Sequence, residues 1–193
     1  PIFSQENSTP ERSDPVYLAV ASSMAPVAED LVESWNQKGT ETEITLSIGS
    51  SGQLKQQADL DSPYDIMFFA DHYRADQLIQ NDNAMEVFDL PSNALVFVSH
   101  RIEKDLSLID LVDSLDRIAY ANPKTAPFGK AARRWLENQD FKSDQTEIIT
   151  AQNVQAAFEY FNSKEVDGAF IPKSFIKNSK DEDITISEPL EFL

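Results

Sequence analysis

Cysteine is absent from the 193-residue chain. Disulfides, thiolate metal sites, iron–sulfur clusters and cysteine nucleophiles are excluded together. The absence assigns no redox compartment, because a chain of this length can bury enough surface to fold without cross-links. Histidine is almost as scarce. Only His72 and His100 occur, each in polar surroundings at the end of an element, and both are expected at the surface rather than as general bases. Five glycines make no P-loop and no G-x-G-x-x-G, and no serine sits in a G-x-S-x-G elbow. No run approaches the roughly 20 unbroken apolar residues of a membrane-spanning helix. Basic residues are the last shortage: 16 Lys and Arg stand against 33 Asp and Glu, a net charge of −17. Nucleic acid and anionic lipid need basic clusters for counterion release, so neither is an expected partner. An anionic small ligand would also be repelled at long range and must be held by short-range donors. With no credible base or nucleophile, the chain is not expected to be an enzyme, nor to carry a cofactor or a resident metal.

What the chain does contain is an alternation of short apolar runs with helical stretches. Val16–Val20 is a strand candidate. Pro26–Asn36 follows as an amphipathic helix with Val27, Leu31, Val32 and Trp35 at helical spacing. Ile44, Leu46 and Ile48 alternate as in a strand, and Ser51–Ala58 forms the next helix. Further strands are expected at Asp65–Phe69, Leu95–Ser99, Ile118–Ala121, Glu147–Thr150, Gly168–Ile171 and Ile184–Ile186. The helices between them span Asp71–Gln80, Leu108–Leu115, Gly129–Asn138 and Val154–Asn162. Phe68, Phe69, Phe158, Phe161 and Phe170 are core by pattern. This alternation predicts an α/β fold with mostly parallel sheets flanked by helices.

Phe88–Ser99, extended and interrupted by proline, reads as a chain crossing between two sheets. The organisation expected is a flexible segment over 1–15, a first lobe over 16–87 and a second lobe over 88–183. Residues 1–15 show no charged region followed by an apolar one. The chain is then either cytoplasmic or an exported protein whose signal peptide has been removed. Asp181-Glu182-Asp183, and Asp59, Asp61 and Asp65 around Pro63, read as solvated loops.

Four strand-to-helix junctions carry the candidate chemistry. They are Ala21-Ser22-Ser23, Gly49-Ser50-Ser51-Gly52, Ala126-Pro127-Phe128-Gly129 and Asn153-Val154. In parallel α/β sheets, ligands bind at the carboxyl ends of strands, where helix N-termini bring free N–H groups and positive dipole ends. Serine hydroxyls add donors without charge. Taken singly, each junction is better read as an ordinary helix cap, since every helix needs one. Only their joint occurrence points to an oxyanion.

At these junctions the chain resembles the molybdate/tungstate substrate-binding proteins of ABC importers, which are two-lobed type II periplasmic binding proteins. The matching stretches are VYLAVASSMAP (16–26), ITLSIGSSGQL (44–54), SPYDIMFFAD (62–71), IAYANPKTAPFGKAA (118–132), AQNVQAAF (151–158) and VDGAFIPKS (166–174), in family order. The resemblance implies a two-lobed fold with a ligand cleft between the lobes. It implies that Ser22 contacts the anion, with Ala21 or Ser23 adding a backbone contact, and that Ser51 donates its hydroxyl and its amide. Phe128 and Val154 would donate backbone N–H groups from the second lobe. A tyrosine that some members place near Ile171 is replaced here by that apolar residue. The resemblance further implies a monomer in the periplasm, its signal peptide removed, that delivers molybdate or tungstate to membrane permease subunits. Family members continue past the second crossover with a strand and helix that return to the first lobe. Here 184–193 is expected to be the start of that crossover, with the return absent. An oxyanion-sensing or scaffold domain, or a binding protein for sulfate or chromate, are the alternative readings.

Overall fold

The computed structural model describes residues 14–39, 42–81, 84–103, 105–139, 141–142, 145–176 and 184–190. Most of the expected N-terminal segment and the Asp181–Asp183 stretch lie outside the described residues. In chain order the elements are β1 (Val16–Ala21), a 3-10 turn (Ser22–Met24), α1 (Ala25–Gln37), β2 (Ile44–Gly49), α2 (Ser51–Ala58), β3 (Ile66–Phe68) and α3 (His72–Gln80). There follow β4 (Leu95–Ser99), α4 (Leu108–Asp113), β5 (Arg117–Ala121), α5 (Pro127–Asn138), β6 (Glu147–Ala151), α6 (Val154–Asn162), β7 (Gly168–Pro172), a second 3-10 turn (Lys173–Ile176) and β8 (Thr185–Ile186).

Two sheets result. The first has three parallel strands in the order β2-β1-β3, and the second has five in the order β6-β5-β7-β4-β8. Within the second sheet β6, β5 and β7 are parallel, whereas β4 runs antiparallel to both β7 and β8. The antiparallel strand follows from topology: β4 arrives from the first sheet by an extended segment without a crossover helix, so no right-handed βαβ unit sets its direction. Residues 184–190 stay on this edge, where Ser187 and Leu190 donate N–H bonds to the carbonyls of Phe97 and Leu95.

Period-two alternation puts core on both faces of the second sheet. Leu95, Phe97, Ile118, Tyr120 and Phe170 face α4 and α5, while Val96, Val98, Ala119, Ala169 and Ile171 face α6. Each fully buried Leu, Ile or Phe contributes about 1.5–3 kcal/mol relative to exposure. The first sheet has a smaller core of Leu18, Val20 and Ala28, closed by Met24, Val32, Ile44, Leu46 and Phe68.

The inward face of α1 differs from the expected one. Val27 and Leu31 are 39% and 51% exposed, whereas Ala25 and Ala28 are buried and Val32 and Trp35 half-buried. The small residues let the helix lie close on β1 and β2, which rotates the larger aliphatic pair outward. Phe68, Phe69 and Phe158 are likewise half-buried, while Phe161 and Phe170 are core. His100 is not a free surface residue. Its ring stacks on Phe161 at 3.9 Å between centroids, and its Nε2 lies 2.7 Å from the Phe161 carbonyl in the last turn of α6. His72 is exposed, with its two ring nitrogens near Asp76 and Asp89.

Candidate functional site

Strand register alone sets the four junctions in two pairs. Ala21 is the partner of Gly49 in the parallel β1–β2 ladder, so the turn at Ser22 and the start of α2 lie side by side at the carboxyl end of the first sheet. Ala121 is the partner of Ala151 in the β5–β6 ladder, which sets the starts of α5 and α6 side by side on the second.

Contacts then join the pairs. The N–H of Gly52 donates to the carbonyl of Thr125 at 2.9 Å, fastening α2 to the loop before α5. The Ser22–Met24 turn packs against α6 and against the second 3-10 turn. From that second turn the Ser174 hydroxyl reaches the Ser23 carbonyl at 3.5 Å. Phe128 and Val154 share one apolar cluster with Ala121, Ala126 and Phe175. All four junctions therefore belong to one contiguous region where the two sheets' helix-bearing ends meet.

Among the described residues, the buried polar side chains are Ser22, Ser23, Ser50, Ser51, Ser99 and Thr146. All are neutral hydroxyls. Four of the six belong to the first two junctions, although the chain has 33 acidic and 16 basic residues to place. Burying a hydroxyl without a partner is unfavourable by about 1–3 kcal/mol, so each needs an account. Ser99 accepts from the Arg101 N–H, and Thr146 faces the carbonyls of Val112 and Asp113.

Ser50 and Ser51 divide their labour. Ser50 is the N-cap of α2: its hydroxyl accepts from the Gln53 N–H and donates to Gln53 Oε1, which also accepts the Ser50 N–H. This reciprocal capping box consumes Ser50. Ser51, one residue on and 1% exposed, is released from capping. Its hydroxyl accepts from the Ala70 N–H at 2.9 Å, so its own proton points elsewhere. No hydrogen bond among the described residues uses the hydroxyls of Ser22 or Ser23, which are each 3% exposed.

The same accounting applies to the main chain. The first N–H groups of any helix lack internal acceptors. In α2, Gly52 is committed to Thr125 and Gln53 to Ser50, which leaves the Ser51 N–H. In α5, Pro127 occupies the first position and brings no N–H, so Phe128 is the first free donor. In α6, the Asn153 side chain accepts from the Ala156 N–H at 2.9 Å, and the N–H groups of Val154 and Gln155 remain. Sequence reasoning missed the Ala70 and Thr125 contacts, because both depend on segments distant in the chain. The one legible signal was a glycine early in a helix, where alanine would favour the helix.

A family model described as bacterial extracellular solute-binding protein matches residues 16–191. The chain belongs to this family. The molybdate-binding protein ModA of Rhodobacter capsulatus is 22% identical over 160 residues, covering 78% of this chain. The chain spans 61% of that relative's length. Among solved structures, the periplasmic molybdate-binding protein of Azotobacter vinelandii superposes with a TM-score of 0.67 at 23% identity, covering 81% of this chain and 71% of that one. The sulfate-binding protein SubI of Mycobacterium tuberculosis H37Rv superposes with a TM-score of 0.69 at 12% identity, covering 91% and 71%. The fold is that of the two-lobed type II periplasmic binding proteins, as the resemblance implied. For this solute-binding family member, the meeting of the two lobes is the candidate ligand cleft.

Proposed function

We propose that this chain captures a tetrahedral oxyanion, molybdate or tungstate, in the cleft between its lobes and delivers it to the permease subunits of an ABC importer. The observation that carries the reading is the donor set: uncommitted N–H groups at the starts of α2, α5 and α6, beside buried neutral hydroxyls with protons to give. Ser22 and Ser51 donate hydroxyls, Ser51, Phe128 and Val154 donate main-chain N–H groups, and Ala21 or Ser23 adds a backbone contact. At about 1.5–3 kcal/mol per hydrogen bond to a charged group, less desolvation of the anion, such a set supports micromolar or tighter binding.

The four junctions contain no carboxylate to accept a proton from the ligand. A fully deprotonated dianion accepts at every oxygen, whereas hydrogen phosphate brings a proton that needs an acceptor, so the site favours molybdate, tungstate or sulfate over phosphate. The molybdate-binding relatives support the choice among these. The lobes are taken as 16–87 and 88–183, with 184–193 as the start of the second crossover. The protein is read as a periplasmic monomer. Calorimetry and thermal shift with molybdate, tungstate, chromate, sulfate and phosphate test the reading. Ligand at a hundredfold excess over the dissociation constant should stabilise the fold by about 2.7 kcal/mol. The absence of any response across the five anions would refute it.

A further inference from the structure

We propose that Gly52 is the closure residue of the cleft: its bare Cα lets the start of α2 dock on the Thr125 carbonyl of the opposite lobe. The inference rests on the oxyanion-binding reading above and goes beyond it, because Gly52 itself need not touch the anion. Gly52 occupies the second position of an eight-residue helix, next to Ser51. Alanine would favour that helix, so local propensity does not explain a glycine there. Its backbone needs no left-handed conformation, since among the described glycines only Gly39 has a positive φ.

The reason lies across the cleft. A Cβ built on Gly52 would stand 2.9 Å from the Thr125 carbonyl oxygen, 3.0 Å from its Cα and 3.3 Å from its Cβ. These are mainly backbone atoms and cannot swing aside. The Gly52 N–H also spends its hydrogen bond on that same carbonyl. Of the free donors at the start of α2, this one is aimed at the other lobe, and the neighbouring Ser51 N–H is left for the ligand. Thr125 stands two residues before Pro127, at the entry to α5. The contact thus brings the Ser51 and Phe128 donors to a fixed separation. With a methyl group at 52, the lobes stop short of that separation and the two sets of donors no longer reach one anion together.

The test compares the native chain with Gly52→Ala and Gly52→Val. Folding is read from circular dichroism and melting without ligand, affinity from molybdate calorimetry, dissociation from stopped flow, and closure from the radius of gyration in X-ray scattering. Gly52→Ala should fold and melt close to the native temperature, because the gain in helix propensity offsets the lost contact with Thr125. Its molybdate dissociation constant should rise about tenfold, equivalent to about 1.4 kcal/mol. The loss should come chiefly from faster release, with a larger radius at saturating ligand, and Gly52→Val should exceed it in both. Native affinity together with a native radius in Gly52→Ala overturns the proposal. So does a Gly52→Ala that fails to fold, because the residue would then serve the first lobe rather than closure. If the native protein binds none of the five anions, the functional reading falls separately. Closure is then judged by ligand-free scattering alone: a larger radius for Gly52→Ala supports it, and equal radii overturn it.

Discussion

Replacing Ser51 by alanine should damage stability and affinity by different amounts, through two atoms of one hydroxyl. The oxygen accepts the Ala70 N–H at 2.9 Å, tying the start of α2 to the segment between β3 and α3. Losing that partly buried bond costs about 1 kcal/mol of stability. For a chain of this size, that lowers the melting temperature by about 2–4 °C. The proton is the part available to the anion. Its loss should weaken binding by about 1.5–3 kcal/mol, as for a hydrogen bond to a charged group. That is a rise of about 10- to 150-fold in the dissociation constant. Ser50→Ala is the matched comparison, because Ser50 is consumed by its capping box with Gln53. It should lose about 1 kcal/mol of stability, as a cap does, and keep native affinity. Calorimetry on the three proteins, with melting curves taken without ligand, separates the effects. Equal affinities for native and Ser51→Ala, or an affinity loss shared by Ser50→Ala, would refute the division of roles between adjacent serines.

Ser22→Ala should behave in the opposite sense on stability: its hydroxyl has no protein partner among the described residues, so ligand-free melting should hold or rise while anion affinity falls about tenfold or more. Thermal shift with and without molybdate reads both. Gly129→Ala should destabilise the second lobe by about 3 kcal/mol, measured by urea unfolding, because the methyl group would meet backbone that cannot yield. Its Cβ would stand 1.9 Å from the Ala121 carbonyl oxygen. Finally, the net charge of −17 repels an anion until it reaches the cleft, so stopped-flow association should speed up as ionic strength rises from about 0.01 to 0.15 M. A rate that falls with added salt would point to a local cationic funnel instead.

The element order was legible from apolar periodicity, and β4, α2 and α6 begin and end where the pattern put them. This works because side-chain spacing reports local geometry directly. The junction loops were legible as well, since proline, asparagine and serine mark helix starts by the hydrogen bonds they make or forgo. Periodicity was blind to the orientation of α1. Four apolar residues at helical spacing suggested one inward stripe, yet Ala25 and Ala28 pack closest and leave Val27 and Leu31 outside. Which side of a helix is buried depends on how near its neighbour comes, and small residues permit the nearest approach. The spacing from Ser50 to Gln53 is that of a capping box, but the chain alone could not tell which partner the adjacent Ser51 would take. Ser50 and Ser51 are adjacent and chemically identical, and only the positions of Gln53 and Ala70 separate them. The sequence by itself determined an α/β chain with donors at its helix starts and an excess of acidic charge that repels an anion at a distance. Tertiary structure decided which of those donors remain unspent, because a hydrogen bond is committed by whatever distant backbone folds within about 3 Å of it.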